Sequence, residues 1–213
     1  MSCPICEKRR PERFCPAKGE KICAICCGRE REVTIDCPLD CPHLTAARRY
    51  ESEHRKPISQ DDYPYHDVEF PVDFVYEHWP VVAGLSATIL QFYGQEKSLN
   101  DADILAALAA LAETTRTLTT GIYYERPPDA PLPRALYGRL SEFLQDFKKQ
   151  QAERAGLSTL KDGQIFHLLV FLLRIGKTRT NGRPRSRAFL DFLRARFPLQ
   201  PGAAEEEPRI IVP

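Results

Sequence analysis

All eight cysteines of this 213-residue chain lie in its first 41 residues, at positions 3, 6, 15, 23, 26, 27, 37 and 41. A segment that short buries too little apolar surface to hold a fold by packing alone. Its thiols must supply what the core cannot, as disulfides, as metal ligands or as a redox pair. Disulfide frameworks belong to oxidising compartments. The N-terminal sequence MSCPICEKRR lacks the apolar stretch of a secretory signal, so a cytoplasmic setting is expected. A redox Cys-x-x-Cys sits between a strand and a helix of a βαβ unit, a context the flanking residues do not offer. Metal remains. In CPIC (3–6) and CAIC (23–26) a two-residue spacing lets one tight turn aim two thiolates at one ion, the zinc-knuckle arrangement.

Eight thiols divide into two four-ligand sites, so two zinc ions are expected. The order along the chain reads as a cross-brace. Cys3, Cys6, Cys23 and Cys26 share the first ion; Cys15, Cys37, Cys41 and Cys27 hold the second, with His43 as the alternative to Cys27. Structural zinc contributes about 10–16 kcal/mol per site in small peptides, so the finger should unfold without metal. Four thiolates per ion leave no open position for an activated water.

The spacing Cys-x2-Cys-x8-Cys-x7-Cys-x2-Cys, carried by Cys3, Cys6, Cys15, Cys23 and Cys26, resembles that of the B-box zinc fingers. That resemblance covers about the first 45 residues and implies a small cross-braced, two-zinc protein-interaction module. The chain departs from the family at Lys18, where the family places a ligand, and in closing with CPLDCPH instead of two histidines. The remainder, including RTNGRPRSRAFLDFLRARFP, resembles bacterial proteins that pair such a finger with a helical domain.

Charge narrows the partners. The chain carries a formal +1. Residues 1–57 hold twelve Lys/Arg against nine Asp/Glu, and two four-thiolate zinc centres at −2 each turn that +3 into −1. Such a finger exerts little pull on phosphate, although Lys8, Arg9, Arg10 and Arg13 form a local basic patch. Further charge is segregated. Residues 57–79 are acidic without a Lys or Arg, and residues 176–196 hold seven Lys/Arg against Asp191 alone.

Beyond the finger the periodicity is helical. CPHLTAARRYESEHRK (41–56) reads as a helix with Pro42 at its first position. PISQDDYPYHDVEFP (57–71) reads as a solvated acidic tether, or as a segment folding back on the basic far end. WPVVAGLSATILQFYG runs from Pro80 to Gly94. Asn100 is placed to cap the stripe Ile104, Leu105, Leu108, Leu111, Thr115 and Leu118. Another stripe follows at Leu136, Leu140, Phe143, Leu144 and Phe147. Asp162 is expected to cap the most apolar helix, 164–176, and a last helix spans 185–197. No apolar run approaches the 18 or so residues a membrane helix needs. The expectation is a mainly α protein: a two-zinc finger (1–45), a helix and acidic linker (46–72), an α-helical bundle of about five helices (73–198), and a disordered acidic tail (199–213) ending in RIIVP, a candidate docking segment.

Other chemistry is thin. GKTRTNGRPRSR (176–187) lacks the first glycine of a nucleotide-binding loop, but Lys177, Arg179, Arg183, Arg185 and Arg187 could contact phosphate. Tyr123, Tyr124 and Glu125 could edge a groove. His66–Asp67 and Glu77–His78 are acid–imidazole neighbours without a nucleophile, and His167 reads as a core histidine. The sequence therefore favours a non-enzymatic adaptor for a protein partner. A nucleic-acid-associated factor using 177–187 is the alternative, and an enzyme with a site in the helical domain is third.

Overall fold

Two separate apolar cores organise the chain, one built around cysteines and one around leucines. In a computed structural model, the described residues are 2–55, 57–121, 124–155 and 160–198. The finger comes first. Strands β1 (Arg13–Cys15) and β2 (Glu20–Ile22) pair antiparallel, with Phe14 opposite Lys21, around a turn that places Gly19 at a φ of +69°. Three-residue strands are too short to show alternation, so this hairpin is invisible to periodicity. Helix α1 (Ala24–Glu30) follows, then an irregular stretch, and α2 (Pro42–Glu53) leaves the finger with proline in its first turn.

The second core belongs to α3 (Val72–Glu77), α4 (Trp79–Gln95), α5 (Asp101–Thr119), α6 (Pro131–Ala155), α7 (Asp162–Arg179) and α8 (Ala188–Arg196). The fold is mainly α. Helix α5 lies between α6 and α7, and α4 packs on α6. The stripes read from the sequence face this centre: Ile104, Leu108, Leu136 and Leu140 are wholly buried, with Leu168 and Leu169 of α7. Asn100 caps α5 as expected. Its Oδ1 accepts from the Ala102 and Asp103 N–H groups, and Asp103 returns a bond to the Asn100 N–H. Close approach requires a glycine at 176, where a Cβ would stand 2.6 Å from Leu105 and 2.9 Å from Phe189. No helix among the described residues is long and apolar enough to cross a membrane.

Three expectations change. Lys161, not Asp162, is the cap residue of α7, and Gln164 accepts its N–H at 2.9 Å. Asp162 is the first helical residue and pairs with Lys148 at 2.5 Å. The last helix begins at Ala188 rather than 185, because residues 185–187 are committed to Glu32 of the finger and to the start of α5. The acidic linker is not a free tether: Tyr65, Val68 and Phe70 pack on the bundle core. The Arg174 guanidinium donates to the carbonyls of Pro64 (3.2 Å), Tyr65 and Val68 (2.8 Å). Backbone carbonyls, not the linker's acidic side chains, make these bonds. Tyr65 also reaches Glu113 at 3.2 Å, and burial pushes its phenol up to about 12. His167 sits half-buried among Phe70, Phe74 and Phe166, where burial lowers its pKa. The Tyr123 and 199–213 expectations lie outside the described residues.

Candidate metal centre

The first quartet is assembled by two different turns. Cys23 is the N-cap residue of α1, so its extended backbone and the first helical turn bring its sulfur to the Cys26 N–H at 3.4 Å. Cys3 and Cys6 flank a turn closed by Glu7 N–H to Cys3 O (2.7 Å) and Cys3 N–H to Arg9 O (2.8 Å), with Glu7 at a φ of +54°. The Cys23 N–H then donates to the Cys3 sulfur at 3.3 Å, joining the knuckles. The four sulfurs all lie within 4.8 Å of one another, the only such group of potential metal ligands among the described residues. A tetrahedral ion with bonds of about 2.3 Å needs sulfur separations of roughly 3.8 Å, and Cys6 and Cys23 are 3.9 Å apart. The donor set and its spacing fit zinc.

The surroundings favour the thiolate form, which metal binding requires, at Cys6 and Cys3 and oppose it at Cys26. Backbone N–H groups of Lys8 and Arg9 draw the Cys6 thiol down to about 6. Burial opposes ionisation of Cys3, but the Cys23, Cys6 and Ile5 N–H groups leave its pKa below the ordinary value. Burial and then the crowding sulfurs push Cys26 up to about 12. Four anions cannot share so small a volume without a cation. Arg9 supplies part of the compensation: burial disfavours its charge, yet the Cys23 and Cys6 sulfurs hold its guanidinium above the usual pKa.

The other four cysteines are brought together less tightly. Cys15, at the end of β1, Cys27 on α1, and Cys37 and Cys41 from the following stretch are all buried. With His43 they line one cavity of about 10 Å³, room for an atom and not for an organic ligand. Burial raises the Cys37 pKa, the Glu32 backbone N–H pulls it down, and Cys41, Glu32 and Cys15 push it up again, so these groups are electrical neighbours. Cys27 is buried and His43 half-buried, and both face the cavity. All eight cysteines are free thiols.

Phosphate contact was one possibility for the basic segment, and much of the segment faces the finger instead. Arg183 donates to the carbonyls of Gly28 (3.1 Å) and Arg31 (2.5 Å). Arg187 is buried. Its guanidinium bonds Leu99 O (2.9 Å), Lys97 O (2.8 Å) and the Asp36 carboxylate. The Arg185 N–H donates to Glu32 O at 2.8 Å, while its side chain is half-exposed, 3.9 Å from Asp36. Lys177 and Arg179 remain exposed, with the Arg179 guanidinium over the Phe192 ring.

At the centre of this junction lies Glu32, only 1% exposed and at a φ of +54°. Its carboxylate accepts from Arg48 (2.7 Å), Asn181 (2.8 Å) and the Arg187 N–H (3.1 Å). On the opposite side, buried Asp101 accepts from Ser186 (2.7 Å) and from the Phe189 and Leu190 N–H groups. Segment 180–187 thus bonds the finger on one flank and the bundle on the other. Sequence reasoning missed Glu32, Arg48, Asn181 and Asp101. Their partners lie up to 155 residues away, and an acid between closely spaced cysteines carries no local mark of burial.

Compared with models of known protein families, with curated proteins and with solved structures, the chain matches none of them.

Proposed function

We propose that the chain is a zinc-binding, non-enzymatic adaptor, in which a B-box-like finger and a helical bundle form one rigid surface for a protein partner. The four-sulfur centre at Cys3, Cys6, Cys23 and Cys26 carries the reading: thiolates on every side close the coordination sphere and leave no place for a substrate or activated water. A second zinc falls to Cys15, Cys37, Cys41 and Cys27, with His43 the competing ligand at the same cavity. The polar junction at Glu32 supports a fixed platform, since a tethered finger would have no use for arginines buried between domains. Eight unpaired thiols suit a reducing compartment such as the cytoplasm.

Native mass spectrometry of the intact chain should find two zinc ions. Affinity capture with the full chain should retain a protein partner after nuclease treatment and lose it after chelation. Capture that survives metal removal would overturn the adaptor reading.

One observation favours a second reading, a nucleic-acid-associated factor. Arg55 and Arg179 line a surface hollow with Arg48, Glu51, Ser52 and Asp191, and the Arg55 guanidinium donates to the Arg179 carbonyl at 3.0 Å. Burial and then the Arg179 charge lower the Arg55 pKa, against the opposing pull of Glu51. With Lys177 and the half-exposed Arg185 they are the cations left to meet phosphate. RNA or DNA affinity falling by decades between about 50 and 200 mM salt would support this reading, and no binding at low salt would remove it.

A further inference from the structure

Helices α3, α4, α7 and α8 do not close against one another. Between them runs a groove of about 690 Å³, walled by Phe70, Trp79, Phe171, Ile175, Phe192 and Phe197. Three helices each turn a same-face pair into it. Phe171 and Ile175 stand one turn apart on α7, Trp79 and Val82 on α4, and Phe192 and Arg196 on α8. The rings brace one another: Trp79 stacks on Phe197 at 5.1 Å between centroids, and Phe70 meets Phe171 edge-on at 6.2 Å. Apolar surface gathered in this way is costly to leave in water and marks a place where something docks.

We propose that the groove binds an anionic single-chain amphiphile of the fatty-acid class, with its hydrocarbon chain on the aromatic walls and its carboxylate at Arg196. The size suits a small organic ligand, whose pockets run from about 300 to 1,000 Å³. A protein helix about 10 Å across would fill the same volume within roughly 9 Å, less than two turns. That is too short to seat the i, i+4 and i+7 anchors of a helix laid in a groove. An extended peptide fits worse. Its backbone N–H and C=O groups would meet a lining whose side chains offer polar groups at Trp79, Tyr76 and Arg196 alone, and polar groups buried without partners are costly. A hydrocarbon chain makes no such demand.

Charge sets the headgroup. Arg196 is the one charged residue of the lining, and no acid stands there with it. Among the described residues it enters no ion pair. Four residues after Phe192, it carries its guanidinium one helical turn beyond that ring, at an end of the apolar wall. A guanidinium takes a carboxylate through two parallel hydrogen bonds. The inference goes beyond the adaptor reading and does not rest on it, since neither the finger nor its metal touches the groove.

Calorimetric titration of the full zinc-loaded chain with sodium octanoate, decanoate and dodecanoate, each below its micellar concentration, tests the assignment. Affinity should rise about fourfold for each added methylene. Emission from Trp79, the chain's single tryptophan, should shift to the blue along the same saturation curve. Arg196 is exposed, so Arg196→Gln should leave the circular dichroism spectrum unchanged. It should weaken decanoate about fivefold and leave the affinity for neutral 1-decanol as it was. Equal decanoate affinities in the two chains would overturn the proposal, as would decyltrimethylammonium binding as tightly as decanoate. Absence of saturable binding would overturn it too. A blue shift that grows with protein concentration, alongside a dimer in light scattering and without response to decanoate, would give the groove to a second copy instead.

Discussion

Replacing Glu32 by alanine removes the acceptor on which the finger–bundle junction converges. The carboxylate and Arg48 side chains are 2% and 10% exposed and 2.7 Å apart. Breaking one member of a buried pair costs about 3–5 kcal/mol, because the surviving charge stays buried. Arg48 keeps a second acid, the half-exposed Asp191 at 3.2 Å. That places the expected loss near the lower end, about 3 kcal/mol, including the Asn181 amide and Arg187 N–H left without their acceptor. For a chain of this size the melting temperature should fall by about 6–12 °C. Glu32→Gly is the internal control. Position 32 has a φ of +54°, a conformation that costs a non-glycine residue about 1–2 kcal/mol, so glycine should recover about 1 kcal/mol of the loss. Urea unfolding followed by Trp79 emission measures both. The tryptophan lies in the bundle and the substitution in the finger, so the signal tests the coupling itself. A loss under about 1 kcal/mol for alanine would refute the view that this junction holds the two parts together.

Other outcomes follow from single contacts. Replacing Cys27 and His43 separately by alanine should halve the zinc content only for the true ligand, as counted by native mass spectrometry. Gly176→Ala should destabilise by about 1–3 kcal/mol, since its Cβ would collide with Leu105 and the wholly buried Phe189. Gly138→Ala on α6, where nothing lies within 4 Å, should instead stabilise by roughly 0.5–1 kcal/mol. Thermal denaturation distinguishes the two signs. Arg174→Met should release residues 64–68 from α7, with a loss of about 2 kcal/mol and faster proteolytic cleavage between 57 and 70.

Helix positions were legible because they rest on local rules. The Asn100 cap, the proline start of α2 and the stripes of α5 and α6 each depend on residues within a few positions of one another. The first quartet was legible for the same reason, since each Cys-x-x-Cys pair is assembled by one turn. The hairpin at 13–22 escaped because its strands are three residues long. The cap of α7 was misplaced by one residue because Asp162 carries a capping side chain, but its charge is taken by Lys148.

The arginines of 183–187 mark the deeper boundary. Their composition says that they will seek anions or carbonyls, and gives no means of choosing between a phosphate and the backbone at Gly28, Arg31 and Leu99. The same limit applies to Arg174 and the linker. Short-range spacing determined that this chain has a thiol-built finger and a helical bundle. Which buried acid meets which arginine was decided by tertiary packing, because burial is set by segments more than a hundred residues apart and desolvation then makes each pairing obligatory.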